Sequence, residues 1–150
     1  MSDQERLSVT LTREYDAPID LVFSAWTDPN HVSRWMKCDD AAIVECTSWE
    51  PKTGASFSTK MEMPGQWKVE STGRFLEVDP PHLLVYATDA DPGMQMPQLE
   101  VRVELEVLSP TRTRLTLTHS GLPNDDMCGI VEGGWTHSLT TLESIVAVRN

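Results

Sequence analysis

The sequence predicts an α+β fold in which a curved antiparallel sheet of about seven strands is followed by one long C-terminal helix. Three observations predict it. Apolar and polar side chains alternate over residues 7–12, which is typical of a half-buried strand. Residues 41–120 consist almost entirely of strand-like segments separated by turns that contain Pro or Gly. In residues 126–149, apolar side chains instead recur at helical spacing.

Two short helices are expected between the first strand and the rest of the sheet. The segment Asp16-Ala17-Pro18 predicts a helix start with Pro18 at the first helical position. A second start follows at Thr27-Asp28-Pro29. The apolar faces of the two helices comprise Ile19, Val22, Phe23 and Trp26 in the first, and Val32, Trp35 and Met36 in the second.

The strands are expected to bury one face of the sheet and to leave the other in water. The clearest example is residues 101–107, where four apolar residues alternate with Arg and Glu. In residues 67–78 the apolar positions begin with Trp67 and Val69 and shift to Leu76 and Val78 beyond Gly73. Such a shift predicts a β-bulge, which would bend the sheet.

The long helix is expected over residues 126–148, with Asn124 or Asp125 as its cap. Its apolar face comprises Val131, Trp135, Ser138, Leu139, Leu142, Ile145 and Val146. The pair Gly133-Gly134 is unfavourable in a helix, by roughly 1 kcal/mol per Gly relative to Ala. Either the helix packs closely on the sheet there, which is the preferred interpretation, or the missing side chains leave room for a ligand.

Length and charge limit the classes of function. The 150 residues suit a single domain spanning 1–150. With 12 basic and 23 acidic residues, the net charge is -11, which disfavours nucleic acids and anionic membranes as partners. No apolar run reaches the ~18 residues needed to insert into a membrane, and the polar N-terminus lacks a signal region, so we expect a cytoplasmic protein. The three Cys residues are odd in number and lack CxxC spacing, so we expect neither a disulfide framework nor a metal site. We also expect no cofactor, since the dinucleotide motif GxGxxG and the phosphate-binding motif GxxxxGK[ST] are missing.

Two sequence segments resemble those of a known family. The first is Tyr15-Asp-Ala-Pro-Ile-Asp-Leu-Val-Phe-Ser-Ala-Trp-Thr-Asp-Pro-Asn30 with Trp35, and the second is Gly134-Trp135-x-x-x-Leu139-x-x-Leu142. Together they resemble the activator of heat-shock-protein ATPase homologue family. It belongs to the START-like (SRPBCC) superfamily, with the polyketide cyclases and the birch-pollen allergen. The resemblance implies a helix-grip fold, in which the sheet wraps around the C-terminal helix and encloses a cavity.

The candidate cavity residues are mainly Trp, Met and other large apolar side chains on the inner faces or at hairpin loops. The chain contains five Trp and seven Met, which is unusually many for 150 residues. Large apolar rings would form broad cavity walls, and flexible Met side chains would adapt to a ligand. The full set is Trp35, Trp49, Phe57, Met61, Met63, Trp67, Phe75, Tyr86, Met94, Met96, His119, Trp135 and Leu139. For many of these residues, an ordinary core role is the alternative interpretation.

No catalytic motif is present: GxSxG, HExxH, GxGxxG and GxxxxGK[ST] are all missing. The candidates for acid–base or anchoring roles are therefore His119, Arg13 and Tyr86, chosen for their place on inward-facing strand positions. We expect a binding protein for a small hydrophobic or amphipathic ligand. A cyclase, isomerase or hydrolase acting on a hydrophobic substrate is one alternative. A protein that regulates a chaperone ATPase is another, and the sequence leaves a homodimer open.

Overall fold

The computed structural model describes residues 7–37, 39–90 and 97–146. Its strands are β1 (Leu7–Tyr15), β2 (Ile43–Ser48), β3 (Ser56–Met63), β4 (Trp67–Asp79), β5 (Leu83–Thr88), β6 (Leu99–Ser109) and β7 (Arg112–Leu122). They form one antiparallel sheet in the order β1-β7-β6-β5-β4-β3-β2. The helices are α1 (Ile19–Thr27), α2 (Pro29–Trp35) and α3 (Asp125–Val146). The predicted α+β helix-grip architecture is confirmed.

The alternation of side chains places the core on one face of the sheet, as predicted. In β6, Val101, Val103 and Leu105 are buried, whereas Glu104 and Glu106 between them are exposed. Arg114 of β7 pairs with Glu106 across this outer face. The inner face therefore carries the apolar residues, and the three helices cover it.

A β-bulge bends β4, although it lies slightly beyond the glycine that suggested it. The register between β4 and β5 shifts between Phe75 and Glu77, so Leu76 is the extra residue and is 41% exposed. The expectation that Leu76 faces inward is wrong for this reason, whereas Val78 does pack against the core. Gly73 has a separate role, because a Cβ atom there would lie 2.0 Å from the Ala87 carbonyl oxygen.

The two short helices form where the sequence predicts them, with one correction at the first start. Pro18 is the N-cap of α1, and the helix begins one residue later. Asp28 caps α2 by accepting a hydrogen bond from the Asn30 N–H at 2.9 Å, and Pro29 occupies the first turn. Trp35 donates its indole N–H to the Ala25 carbonyl at 2.8 Å, which fixes α2 against α1.

The C-terminal helix α3 packs its predicted apolar face on the rest of the protein. Asn124 caps it by accepting from the Met127 N–H at 2.8 Å. Leu139 and Leu142 are fully buried, and the Tyr15 hydroxyl donates to the Leu139 carbonyl at 2.9 Å, which ties α3 to β1. Among the described residues, no helix combines the length and apolar character needed to span a membrane.

Candidate ligand pocket

A pocket of about 290 Å³ lies between the inner face of the sheet and helices α2 and α3. The volume is close to the lower end of the roughly 300–1,000 Å³ typical of small-molecule sites. Its sheet side comprises Val44, Phe57, Thr59, Met61, Ser71, Tyr86, Thr88, Val101 and His119. Its helix side comprises Val32, Met36, Lys37, Val131, Gly134, Trp135 and Ser138, and Trp49 completes the wall.

The register of the sheet brings Tyr86, Val101 and His119 into one row across three strands. Tyr86 of β5 is opposite Val101 of β6, which is opposite His119 of β7. Residues that are opposite each other in an antiparallel sheet point to the same face. The row therefore forms the floor of the pocket, with one polar side chain on each side of Val101.

Aromatic rings pack closely at the β3–β5 end of the pocket. The rings of Trp49 and Phe57 lie 5.1 Å apart, and that of Tyr86 lies 5.4 Å from Phe57. Trp49 is held by a hydrogen bond from its indole N–H to the Trp26 carbonyl at 3.0 Å. Phe75 lies behind this cluster and is fully buried. Burial raises the pKa of Tyr86 well above its ordinary value, so its phenol stays protonated.

Helix α3 supplies the opposite wall through residues one turn apart. Val131, Gly134, Trp135 and Ser138 face the pocket because positions three and four apart share one side of a helix. Gly133 points elsewhere: a Cβ atom there would meet nothing within 4 Å. Close packing on the sheet, the preferred interpretation of this pair, is therefore wrong for Gly133. Gly134, by contrast, lines the pocket.

His119 and Trp135 are joined by a hydrogen bond across the pocket wall. The Trp135 indole N–H donates to His119 Nδ1 at 2.8 Å. Burial lowers the pKa of His119 to about 4, so the imidazole is neutral at pH 7. Because Nδ1 accepts, the ring proton of the neutral form resides on Nε2. Nε2 is buried, and no described residue forms a hydrogen bond with it.

Side chains at one edge of the pocket connect α3 to the segment that follows α2. The Ser138 hydroxyl donates to the Lys37 carbonyl at 2.7 Å, and His137 Nε2 lies 2.9 Å from Asp40 Oδ1. Lys37 Nζ donates to the Asp40 carbonyl at 3.3 Å. Lys37 is also the one Lys, Arg, Asp or Glu among the described lining residues. These contacts position a cation at the edge of an otherwise neutral pocket.

The structure brings together some of the predicted cavity residues. Those that line the pocket are Trp49, Phe57, Met61, Tyr86, His119 and Trp135. Trp35, Phe75 and Leu139 are instead fully buried in the core. Met63 and Trp67 pair at the end of the β3–β4 hairpin, away from the lining, and Trp67 is 40% exposed. Met94 and Met96 lie outside the described residues.

Of the three candidates for acid–base or anchoring roles, two are in the pocket and one is not. His119 and Tyr86 are in the pocket, but Arg13 is not, and its guanidinium donates to the Thr12 carbonyl of its own strand at 2.9 Å. Within the described ranges, no three His, Cys, Asp or Glu side chains come together in a way that could hold a metal ion.

Sequence reasoning missed several lining residues, most of them small or polar. On strands, these are Val44, Thr59, Ser71, Thr88 and Val101. Thr59 has the same parity as Phe57 and Met61, so alternation could have identified it. Ser138 was on the predicted apolar face of the long helix, so helical spacing could have identified it as well. Lys37 carried no such signal, because its contact with Ser138 joins residues 101 apart in sequence.

Comparisons with known proteins agree with this fold. A protein from Chromobacterium violaceum has a similar structure, with a TM-score of 0.87, 21% identity, and coverage of 95% of this chain and 98% of that chain. The AHSA1 protein from Silicibacter pomeroyi has a TM-score of 0.77 at 20% identity, covering 93% of this chain and 96% of its own. No curated protein matches. The family model described as Activator of Hsp90 ATPase homolog 1-like protein matches residues 16–147, and the chain belongs to this family.

Proposed function

We propose that this protein binds one small, largely apolar molecule in the pocket between the sheet and α3, without making or breaking a covalent bond. The observation that supports the proposal is the composition of the wall. Aromatic rings form one end, four Val and two Met side chains contribute further apolar surface, and four Ser and Thr hydroxyl groups, one imidazole and Lys37 interrupt them. Ligand sites commonly combine an apolar lining with a few polar groups that set orientation.

The size of the pocket indicates the size of the ligand. A volume of about 290 Å³ suits a molecule with one or two fused rings better than a sterol or a long acyl chain. Ligands of this size gain about 0.3–0.5 kcal/mol per non-hydrogen atom, so roughly 15 atoms give a Kd in the micromolar to millimolar range. We therefore expect reversible binding with rapid exchange.

The other functions suggested by the sequence have less support. An enzyme that uses acid–base catalysis needs a group that ionises near neutral pH, whereas burial shifts the pKa of both His119 and Tyr86 away from neutrality. Regulation of a chaperone ATPase and homodimer formation stay predictions. With a net charge of -11, nucleic acid remains an unfavourable partner, and we keep the cytoplasm as the proposed location.

The experiment that tests the proposal fills the pocket from one helix position and uses its neighbour as the control. Gly134→Leu places a side chain into the pocket, whereas Gly133→Leu places the same side chain where the structure has open space. Both substitutions should change helix propensity equally. Binding is followed with N-phenyl-1-naphthylamine, a neutral dye whose emission rises in apolar sites.

Wild type and Gly133→Leu should bind the dye with similar affinity, and Gly134→Leu should weaken binding by about tenfold or more. Circular dichroism would establish that both variants are folded. Equal binding by all three proteins would place the dye outside the pocket and contradict the proposal. Absence of dye binding by wild type would also count against it.

A further inference from the structure

We propose that His119 makes the pocket selective for ligands that carry a neutral hydrogen-bond acceptor, such as a ketone or ester carbonyl, which receives the Nε2–H of the imidazole. This inference rests on the proposed function, because it names a chemical class of ligand for the same pocket. It assigns His119 a role in specificity.

The hydrogen bond from Trp135 determines which nitrogen of His119 can donate. The indole N–H is a donor only, so His119 Nδ1 must present its lone pair to it at 2.8 Å. The neutral ring then carries its proton on Nε2. This arrangement leaves His119 with a donor and no free acceptor.

Within the part of the chain that the structure describes, this donor has no partner. The side chain is only 9% exposed, and its cross-strand neighbours are Val9 of β1 and Val101 of β6, neither of which has a polar side-chain group. No described residue accepts from Nε2. A buried donor without a partner is unfavourable, and most such groups in proteins are paired with protein or water. Since His119 also lines the pocket, a bound molecule is the partner that the fold leaves room for.

The protonation state of the ring decides which acceptors fit. Because burial lowers the pKa of His119 to about 4, the ring carries no charge at pH 7 and offers a neutral N–H. A carbonyl oxygen accepts from such a group without bringing a charge into the apolar pocket. An anion at His119 would lose more hydration than one neutral N–H restores, and Lys37 is at the edge of the pocket, where its Nζ donates to the Asp40 carbonyl. A hydrocarbon would leave the donor unpaired.

The test compares two aromatic probes that differ in the acceptor, 2-acetylnaphthalene and 2-isopropylnaphthalene, which have the same number of non-hydrogen atoms. Each is titrated into wild type and into His119→Asn, with tryptophan emission as the readout. In the variant, Asn Oδ1 takes the place of Nδ1 and can still accept from Trp135, but no atom replaces Nε2. The variant therefore removes the proposed donor and retains the acceptor for Trp135.

The ratio of the two affinities is the decisive quantity. We expect the affinity ratio of ketone to hydrocarbon to be about three- to tenfold larger for wild type than for His119→Asn. A factor of this size corresponds to the contribution of one hydrogen bond. If both probes bind and the ratio is the same in the two proteins, the role of His119 is wrong while the binding function stands. If neither probe binds wild type, both proposals are wrong.

A second measurement on wild type does not depend on the variant's folding. Imidazole ¹⁵N NMR should show His119 as the tautomer protonated on Nε2 at pH 7, and the Nε2–H resonance should move on addition of 2-acetylnaphthalene but not of 2-isopropylnaphthalene. A ring protonated on Nδ1, or equal responses to the two probes, would overturn the inference.

Discussion

Protonation of His119 should destabilise the fold as the pH falls, and the effect has a defined sign and window. The pKa of His119 is lowered from about 6.5 in the unfolded chain to about 4 in the folded protein, because burial disfavours the imidazolium. Between these two values the unfolded state binds more protons than the folded state. Stability from this group is therefore complete above about pH 6.5 and is lost as the pH falls towards 4.

The magnitude follows from the two pKa values. At pH 5.0 the unfolded imidazole is almost fully protonated and the folded one is mostly neutral, whereas at pH 7.5 both are neutral. Linkage then gives a loss of about 2 kcal/mol in the free energy of unfolding between pH 7.5 and pH 5.0. The structure supports this magnitude, because only 9% of His119 is exposed to solvent.

Urea titrations of wild type and His119→Asn at several pH values between 7.5 and 5.0 would measure the effect. All other ionisable groups are the same in both proteins, so their contributions cancel in the difference between the two curves. We expect wild type to lose about 2 kcal/mol relative to the variant over this range. Curves that remain parallel would show that His119 is not buried in its neutral form, and the reasoning would fail.

Three further substitutions test the packing around the pocket by denaturant titration. Gly133→Ala should stabilise the protein by about 0.5–1 kcal/mol, because a Cβ atom there meets nothing within 4 Å, and a destabilised variant would contradict the placement of this helix face. Gly73→Ala should destabilise by about 1–3 kcal/mol, since its Cβ would lie 2.0 Å from the Ala87 carbonyl oxygen, and an unchanged midpoint would be inconsistent with that register. Tyr15→Phe should cost about 0.5–1.5 kcal/mol through the lost hydrogen bond to the Leu139 carbonyl, and no cost would mean that this bond does not hold α3.

The faces of the strands could be predicted from sequence because a side chain's direction depends only on its position in a repeat of two residues. His119 was expected on the dry face because it shares parity with Leu115 and Leu117, and it lies there. The same reasoning placed Phe57 and Met61 correctly on the inner side. Periodicity was sufficient wherever the question was which side of the sheet a residue faces.

Position along a strand relative to the helices could not be predicted in this way. Met63 lies two residues beyond Met61 and has the same parity, but it is at the end of the hairpin and does not line the pocket. Phe75 faces inward, contacts the rings of Trp49 and Phe57, and is fully buried. Whether an inward residue lines a cavity or fills the core depends on what packs above it, and a local repeat contains no information about that.

Contacts between distant segments were also beyond a sequence pattern. The bond from Trp135 to His119, which sets the protonation of the imidazole, joins residues 16 apart on different elements. The tautomer of a His depends on the partner of its other nitrogen. The sequence could therefore indicate His119 as a polar group in the pocket. It could not show that Nε2, the nitrogen not bonded to Trp135, is a hydrogen-bond donor.

Methyl NMR of protein labelled with ¹³C at the Met methyl groups tests the central claim, ligand binding in the pocket, most directly. Met36 and Met61 line the pocket, whereas Met63 lies on the same strand as Met61 but outside the lining. On titration with 2-acetylnaphthalene, we expect saturable shifts of Met36 and Met61 that fit one Kd, with Met63 little affected. Shifts that do not saturate, or that are largest at Met63, would contradict it.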